Sequence, residues 1–185
     1  MKTEWNLEVL YKGLDDPAYE ADMKRFEEVV DEYVAQVEAA KNAKAEDVIE
    51  SLILKHEELA ELAYKLQNYL GLRQSVETEN GDLMAQMNRL MRTYNKGYGA
   101  EIAHEKISVQ IADVDELSKS SEVVAAYNFS IKESKKRAQY LFNDEVEAMI
   151  SAMNMTGGSA HFVDSPRTEM SRCRGILLAA LCVRL

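Results

Sequence analysis

The sequence is poor in residues that interrupt helices and in residues that form cross-links. Its 185 residues include 8 Gly, 2 Pro and 2 Cys. So few Gly and Pro favour long helices over an architecture of short strands and tight turns. Two Cys cannot build a disulfide framework, and no His or further Cys stands near Cys173 and Cys182 at metal-ligand spacing. We therefore expect free thiols and a cytoplasmic protein.

Positive charge and long apolar runs are also scarce. The formal net charge is −10, which argues against a nucleic-acid backbone or an anionic membrane as partner. The opening residues contain no apolar core of a secretory signal, which again favours the cytoplasm. The apolar run at 175–183 is shorter than the roughly 20 residues that span a bilayer. We favour a short docking helix or an aggregation-prone end there over a membrane anchor.

Helical periodicity dominates the first half of the chain. Residues 46–72 carry the clearest apolar stripe, at alternating spacings of three and four: Ile49, Leu52, His56, Leu59, Ala63, Leu66 and Leu70. We expect Gly71 to end this helix in a left-handed cap. Asp16 and Pro17 predict the start of an earlier helix that reaches residue 41. Its stripe is Tyr19, Met23, Phe26, Val30, Tyr33, Val37 and Ala40, and the short connector 42–44 predicts an antiparallel pair.

The pattern continues less regularly after residue 81. A third stripe comprises Leu83, Met87, Leu90 and Tyr94, with Met84 and Met91 beside it. Core packing is the commoner use of such methionines, and we favour it over an adaptable binding surface. Gly97 and Gly99 predict a loop or a bend. Helices are further expected at 101–117, at 122–138 and from about residue 143 to residue 157. The fold class is therefore all-α, an antiparallel helical array of about six helices.

One fragment is similar to a zinc peptidase motif. Residues 56–60, His-Glu-Glu-Leu-Ala, differ from His-Glu-x-x-His only in Ala60, where the second zinc ligand would stand. A single imidazole cannot replace the pair, so we interpret His56 as a core or boundary residue. The same holds for His104, which is followed at i+4 by Ser108. We assign no catalytic, cofactor-binding or metal-binding residue.

Three segments carry a family resemblance over residues 1–160. They are WNLEVLY at 5–11 with Asp-Asp-Pro at 15–17, YLGLRQSVETEN at 69–80, and LFNDEVE at 141–147 followed by TGGSA at 156–160. In this order they resemble the N-terminal half of oligoendopeptidase F type zinc metallopeptidases, which are relatives of thimet oligopeptidase.

The resemblance implies an all-helical wall or lid over a channel that admits oligopeptides. In the family, the zinc ligands and the general-base Glu lie in the C-terminal half, and this sequence contains no such helix. The resemblance therefore implies no cofactor in this chain and no peptide hydrolysis by it alone. A peptide- or protein-binding module without catalysis is the alternative, and a structural bundle with only a chance likeness is a third. The helix at 83–94 carries apolar residues on several sides, which favours a surface that the missing half of the protein would cover. We expect self-association as a consequence.

Residues 161–185 depart from this pattern. His161 stands where the family has Trp, and the segment holds 4 of the 9 Arg, both Cys and no Lys. Four Arg against Asp164 and Glu169 give it a charge of +2, so residues 1–160 carry −12. We therefore divide the chain into an N-terminal helical domain, 1–160, and an atypical tail. A frame change or gene-prediction error is our hypothesis for the tail, and sequencing of the coding DNA tests it.

Overall fold

The structure is a computed structural model that describes residues 6–138. This range contains a 3-10 turn at Leu7–Val9, five α-helices and no strand. The helices are α1 (Pro17–Ala40), α2 (Ala45–Gln74), α3 (Gly81–Val109), α4 (Val114–Ser120) and α5 (Glu122–Ala138). The all-α prediction is confirmed. The helix expected near 143–157 and the tail 161–185 lie outside the described residues.

Helix α1 begins where its sequence indicates. The Asp16 carboxylate accepts a hydrogen bond of 2.9 Å from the Ala18 N–H, and Pro17 occupies the first helical turn. Each residue of the predicted stripe is at most 4% exposed. The stripe is therefore the core-facing side of α1.

Helix α2 extends beyond its predicted end. Gly71 does not cap it: the helix continues to Gln74, and no described residue has a positive φ. The Ser75 N–H donates to the Gly71 carbonyl at 3.2 Å, so the hydrogen-bonding pattern passes through the glycine. Gly71 is thus a residue within the helix, and the prediction of a left-handed cap is wrong.

Helix α3 also differs from its prediction. Asn80 caps its start by accepting hydrogen bonds from the Asp82 and Leu83 N–H groups at 3.1 and 3.2 Å. The helix then runs through Gly97 and Gly99, so a loop at this point is excluded. A Cβ at Gly97 would lie 3.6 Å from Val30 Cγ1, an ordinary van der Waals distance, so Gly97 faces α1 without requiring a glycine there.

The helix expected at 101–117 is divided in the structure. Helix α3 ends at Val109 and α4 begins at Val114. The Asp113 carboxylate accepts a hydrogen bond of 3.0 Å from the Glu116 N–H. This N-cap gives α4 its own start, and the helical spacing of the apolar residues did not reveal the break.

The chain divides into two compact units, and the first comprises Met1–Lys44 and Ser51–His104. Within it, α1 and α2 are antiparallel as predicted, since Asp22 pairs with Lys65 and Arg25 pairs with Glu58, both at 2.5 Å. Helix α3 runs parallel to α1. Its ion pairs with α1 are Arg89 with Glu27 at 2.7 Å and Lys96 with Asp31 at 2.5 Å.

Tyrosines close one end of this first unit. The Tyr11 ring packs edge-on against Tyr19 and Tyr69, with centroids 5.4 and 4.9 Å away. Its hydroxyl donates a hydrogen bond of 2.6 Å to Asp22, which also pairs with Lys65. The segment that precedes α1 is therefore attached to both α1 and α2.

The second unit comprises Ala45–Glu50 and Glu105–Leu185 and is described as far as Ala138. Its α4–α5 hairpin is joined by Asn128, which donates to Ser118 at 2.8 Å and to Asp115 at 3.1 Å. The Ala112 N–H donates to the Glu46 carboxylate at 3.0 Å. Across residues 6–138, no helix has both the length and the apolar character needed to cross a membrane.

Replacement of Gly71 by Ala distinguishes a helical residue from a left-handed cap. A Cβ at this position meets no atom within 4 Å. We expect Gly71→Ala to raise the free energy of unfolding by about 1 kcal/mol, because alanine has the higher helix propensity. Urea-induced unfolding measures the change. Destabilisation by a similar amount would instead indicate a left-handed conformation.

Candidate functional site

The two histidines singled out in the sequence lie together inside the first unit. His56 on α2 and His104 on α3 have ring centroids 5.8 Å apart with nearly perpendicular planes. The Tyr33 ring of α1 lies 5.7 Å from His56 and 6.0 Å from His104. With Tyr94 and Glu101 of α3, these residues form what we call the histidine cluster.

Hydrogen bonds connect the members of the histidine cluster. The Tyr33 hydroxyl lies 2.8 Å from Nδ1 of His104 and shares a hydrogen bond with it. Tyr94 hydrogen-bonds the Glu101 side chain. Nε2 of His56 is 4.0 Å from Oε1 of Glu101, which is too long for a direct hydrogen bond. A hydrogen bond thus links α1 to α3 within the cluster, and α2 contributes the ring of His56, which packs against Tyr33 and His104.

Burial decides the protonation of the cluster. It raises the pKa of Glu101 to about 7, against the opposing effect of the Tyr94 hydrogen bond. It lowers the pKa of His104 to about 4, and neighbouring His56 lowers it further. Burial also lowers the pKa of His56, although Glu57 opposes this shift. At neutral pH both imidazoles are therefore uncharged, and Glu101 is close to its midpoint.

The geometry of these side chains does not match the zinc site of oligoendopeptidase F type peptidases. Zinc binds imidazole nitrogens at about 2.0–2.1 Å in a tetrahedral arrangement. Here the Tyr33 hydroxyl engages Nδ1 of His104, and position 60 offers only Ala60, which is buried. Within the part of the chain that the structure describes, no three His, Cys, Asp or Glu side chains are arranged to hold a metal ion. We derive no metal chemistry for this cluster.

Sequence reasoning treated His56 and His104 separately and did not find the cluster. The sequence did contain one indication of the cluster: Tyr33 on α1 and His56 on α2 are polar residues within apolar stripes. Their convergence depends on the register of three helices, which spacing within one helix does not fix. The interpretation of His56 as a core or boundary residue agrees with its side chain, which is 27% exposed.

A second feature of the first unit is an exposed apolar stripe on α3. Met84, Met91 and Tyr98 are 41%, 48% and 40% exposed. They recur at intervals of seven residues on one side of the helix, whereas Leu83 and Leu90 are buried on another. The expectation that methionines fill the core is wrong for Met84 and Met91. We call the side bearing these three residues the outer face of α3.

Two contacts fix the register between α3 and the neighbouring α2. Gln74 Nε2 lies 3.0 Å from the Met84 sulfur, and His56 lies beside Glu101. The two helices are therefore antiparallel, which brings Tyr64 of α2 level with Tyr94 of α3. Tyr64 is itself about half exposed, and a Cβ at Gly71 would meet open space. Tyr64 is thus an exposed aromatic side chain on α2 at the level of the α3 stripe.

The second unit contains an open surface pocket of about 380 Å³. Phe129 and three lysines line it, but each lysine has a partner. Lys132 pairs with Asp115 at 2.5 Å and Lys136 with Glu133 at 2.6 Å, while Lys135 donates to the Ile111 carbonyl. These contacts hold the lysines within the unit, and we assign the pocket no ligand.

The histidine cluster predicts an unusual pH dependence of stability. The raised pKa of Glu101 stabilises the fold fully below its ordinary value of 4.5, and this stabilisation is lost as the pH rises through about 7. The lowered pKa of His104 acts in the opposite direction. Its stabilisation is complete above 6.5 and is lost as the pH falls through about 4. The two contributions therefore largely cancel between pH 4.5 and 6.5.

We expect Glu101→Gln to reveal the contribution of His104 to the pH dependence of stability, because the opposing titration of Glu101 is removed. The free energy of unfolding of this variant should rise with pH between about 4.5 and 6.5 by up to about 3 kcal/mol relative to wild type. Urea unfolding at several pH values measures the slope. Equal slopes in the variant and wild type would show that Glu101 does not titrate in this range.

Comparisons with known proteins add no functional assignment. No protein-family model matches the chain. No curated protein and no solved structure matches it either. The similarity to oligoendopeptidase F type peptidases therefore stays a prediction from the sequence motifs.

Proposed function

We propose that the chain is a non-catalytic helical wall that binds a partner through the outer face of α3. The partner is the zinc-containing half of an oligoendopeptidase F type peptidase, and the assembled enzyme hydrolyses oligopeptides in the cytoplasm. Three sequence segments support the family, and their order along the chain agrees with it. The exposed Met84, Met91 and Tyr98 support the binding role and are the observation that carries the proposal.

The composition of the outer face suits a protein partner. Methionine side chains are flexible and polarizable, and they adapt to irregular apolar surfaces. Tyrosine adds a large contact area and a polar end. Exposed apolar patches rimmed by polar residues are one of the surface types that bind other proteins. These properties favour a surface that another polypeptide covers.

The histidine cluster supports a structural role for this chain within the assembled enzyme. Its imidazoles are uncharged at neutral pH and lie among three packed helices. A nucleophile or general base needs access to substrate as well as a suitable pKa. We therefore place the chemistry in the partner, and we assign this chain the support of the channel. A binding module for other peptides, without catalysis, is the alternative.

Reconstitution tests the proposal. Zinc content and cleavage of a quenched fluorescent oligopeptide are measured on the purified chain, on a separately expressed zinc-containing half of such a peptidase, and on the mixture. We expect hydrolysis to require the mixture. Hydrolysis by this chain alone would contradict the proposal, and an inactive mixture would favour the binding-module alternative.

A matched pair of variants locates the contact. Met91 and Leu54 are each 48% exposed, but Leu54 lies on α2 outside the outer face. Met91→Lys should lower reconstituted hydrolysis about tenfold or more, because burying an ammonium group in an apolar contact is costly. Leu54→Lys should leave it unchanged. Equal losses in the two variants would place the contact elsewhere.

A further inference from the structure

The dipeptide Asn80-Gly81 combines a reactive side chain with an unhindered backbone nitrogen. None of the other eight asparagines in the sequence is followed by a glycine. The amide carbon of an asparagine side chain can be attacked by the backbone nitrogen of the next residue. Glycine hinders this attack least, because it has no Cβ. The asparagine most prone to this reaction therefore lies where the connection 75–80 meets α3.

The Gly81 nitrogen is accessible to solvent. Gly81 is exposed, and a Cβ at this position would meet no atom within 4 Å. Gly81 is also the first residue of α3, and the first N–H groups of a helix have no carbonyl partner one turn earlier. Water therefore reaches the group that has to lose a proton in the reaction.

Three hydrogen bonds hold the Asn80 side chain in its capping position. Its Oδ1 accepts from the Asp82 and Leu83 N–H groups at 3.1 and 3.2 Å. Its Nδ2 donates to Oε2 of Glu77 at 2.7 Å. Cyclisation must turn Cγ of Asn80 toward the Gly81 nitrogen, so the cap has to open before the reaction can occur.

Glu77 holds the amide and does not assist its loss. Hydrogen bonds from Arg73 and Asn80 lower the pKa of Glu77, so its side chain is an ionised carboxylate at neutral pH. The departing nitrogen needs a proton, which an ionised carboxylate cannot supply. The contacts around Asn80 thus favour the unreacted side chain.

We propose that Asn80 is a deamidation site that the N-cap of α3 keeps unreacted while the first turn of the helix is closed. When the cap opens, the Gly81 nitrogen loses its proton and bonds to Cγ of Asn80. The Cγ–Nδ2 bond then breaks, and ammonia leaves with that proton. Water opens the resulting succinimide at one of its two carbonyl carbons, which gives either aspartate or isoaspartate. The reaction needs only water and no partner protein.

The two products affect α3 differently. Aspartate keeps an oxygen that accepts from the Asp82 and Leu83 N–H groups, and a negative charge suits a helix N-terminus. It replaces the Nδ2 donor by an oxygen, so the hydrogen bond to Glu77 is lost. Isoaspartate adds a carbon atom to the backbone before Gly81, which removes the cap. Isoaspartate should therefore lower the free energy of unfolding more than aspartate does.

Peptide mapping of the full chain tests the site. The chain is incubated at mildly alkaline pH, folded or unfolded in guanidinium chloride, and the tryptic peptide 74–89 is analysed by mass spectrometry. We expect Asn80 to deamidate in guanidinium, and at least about tenfold more slowly in the folded chain, because opening of the cap limits the reaction. Asn88 is an internal control in the same peptide, since Arg89 follows it. Equal rates at Asn80 in the folded and unfolded chain, or no reaction in guanidinium, would overturn the proposal.

Matched variants test the cap and the attacking nitrogen. Glu77→Ala removes the acceptor of the Asn80 amide, whereas Glu79→Ala removes the same charge from an exposed neighbour. In the folded chain Glu77→Ala should speed deamidation severalfold and Glu79→Ala should match wild type, with folding of each checked by circular dichroism. In guanidinium Gly81→Ala should slow the reaction about tenfold or more, because its Cβ hinders the attack. Equal rates in the two glutamate variants, or an unchanged rate in Gly81→Ala, would overturn the proposal.

Discussion

The first unit depends on burial of the apolar stripe of α1 against α2 and α3. Tyr19, Phe26 and Tyr33 are completely buried along this stripe, at intervals of seven residues. Full burial of an apolar side chain such as Phe26 contributes about 1.5–3 kcal/mol. Ion pairs border the stripe on both sides, with α2 through Asp22 and with α3 through Arg89. Since α2 and α3 turn their inner sides to α1, their outer sides are not covered by α1.

The same packing explains the histidine cluster. Tyr33 continues the α1 stripe, and its hydroxyl meets His104 at the level where His56 faces Glu101. Burial at this level favours the uncharged form of each group, so the carboxyl pKa rises and the imidazole pKa falls. In mildly acidic solution the titration of Glu101 opposes that of His104, and the lowered pKa of His56 adds to the histidine contribution. In the proposed function the role of the histidine cluster in the unit is structural, and the outer face of α3 is the binding surface.

Local patterns were sufficient for much of the fold. Asp16 and Pro17 marked the start of α1, and three-four spacing identified the buried sides of α1 and α2. Glycine was the less dependable signal, because Gly71, Gly97 and Gly99 lie within helices that tertiary packing stabilises. The histidine cluster and the outer face required tertiary information. Whether Met84 is core or surface depends on which side of α3 faces α1, and the apolar character of methionine does not specify that side.

Methyl NMR of the methionine residues tests most directly whether the outer face of α3 is the binding surface. The chain is labelled at the methionine ε-methyl groups, and spectra are recorded as a zinc-containing peptidase half is added. The account predicts shifts or broadening of the Met84 and Met91 signals, while Met23, which is fully buried on α1, stays unchanged. Unperturbed Met84 and Met91 signals in a mixture that hydrolyses peptide would contradict it.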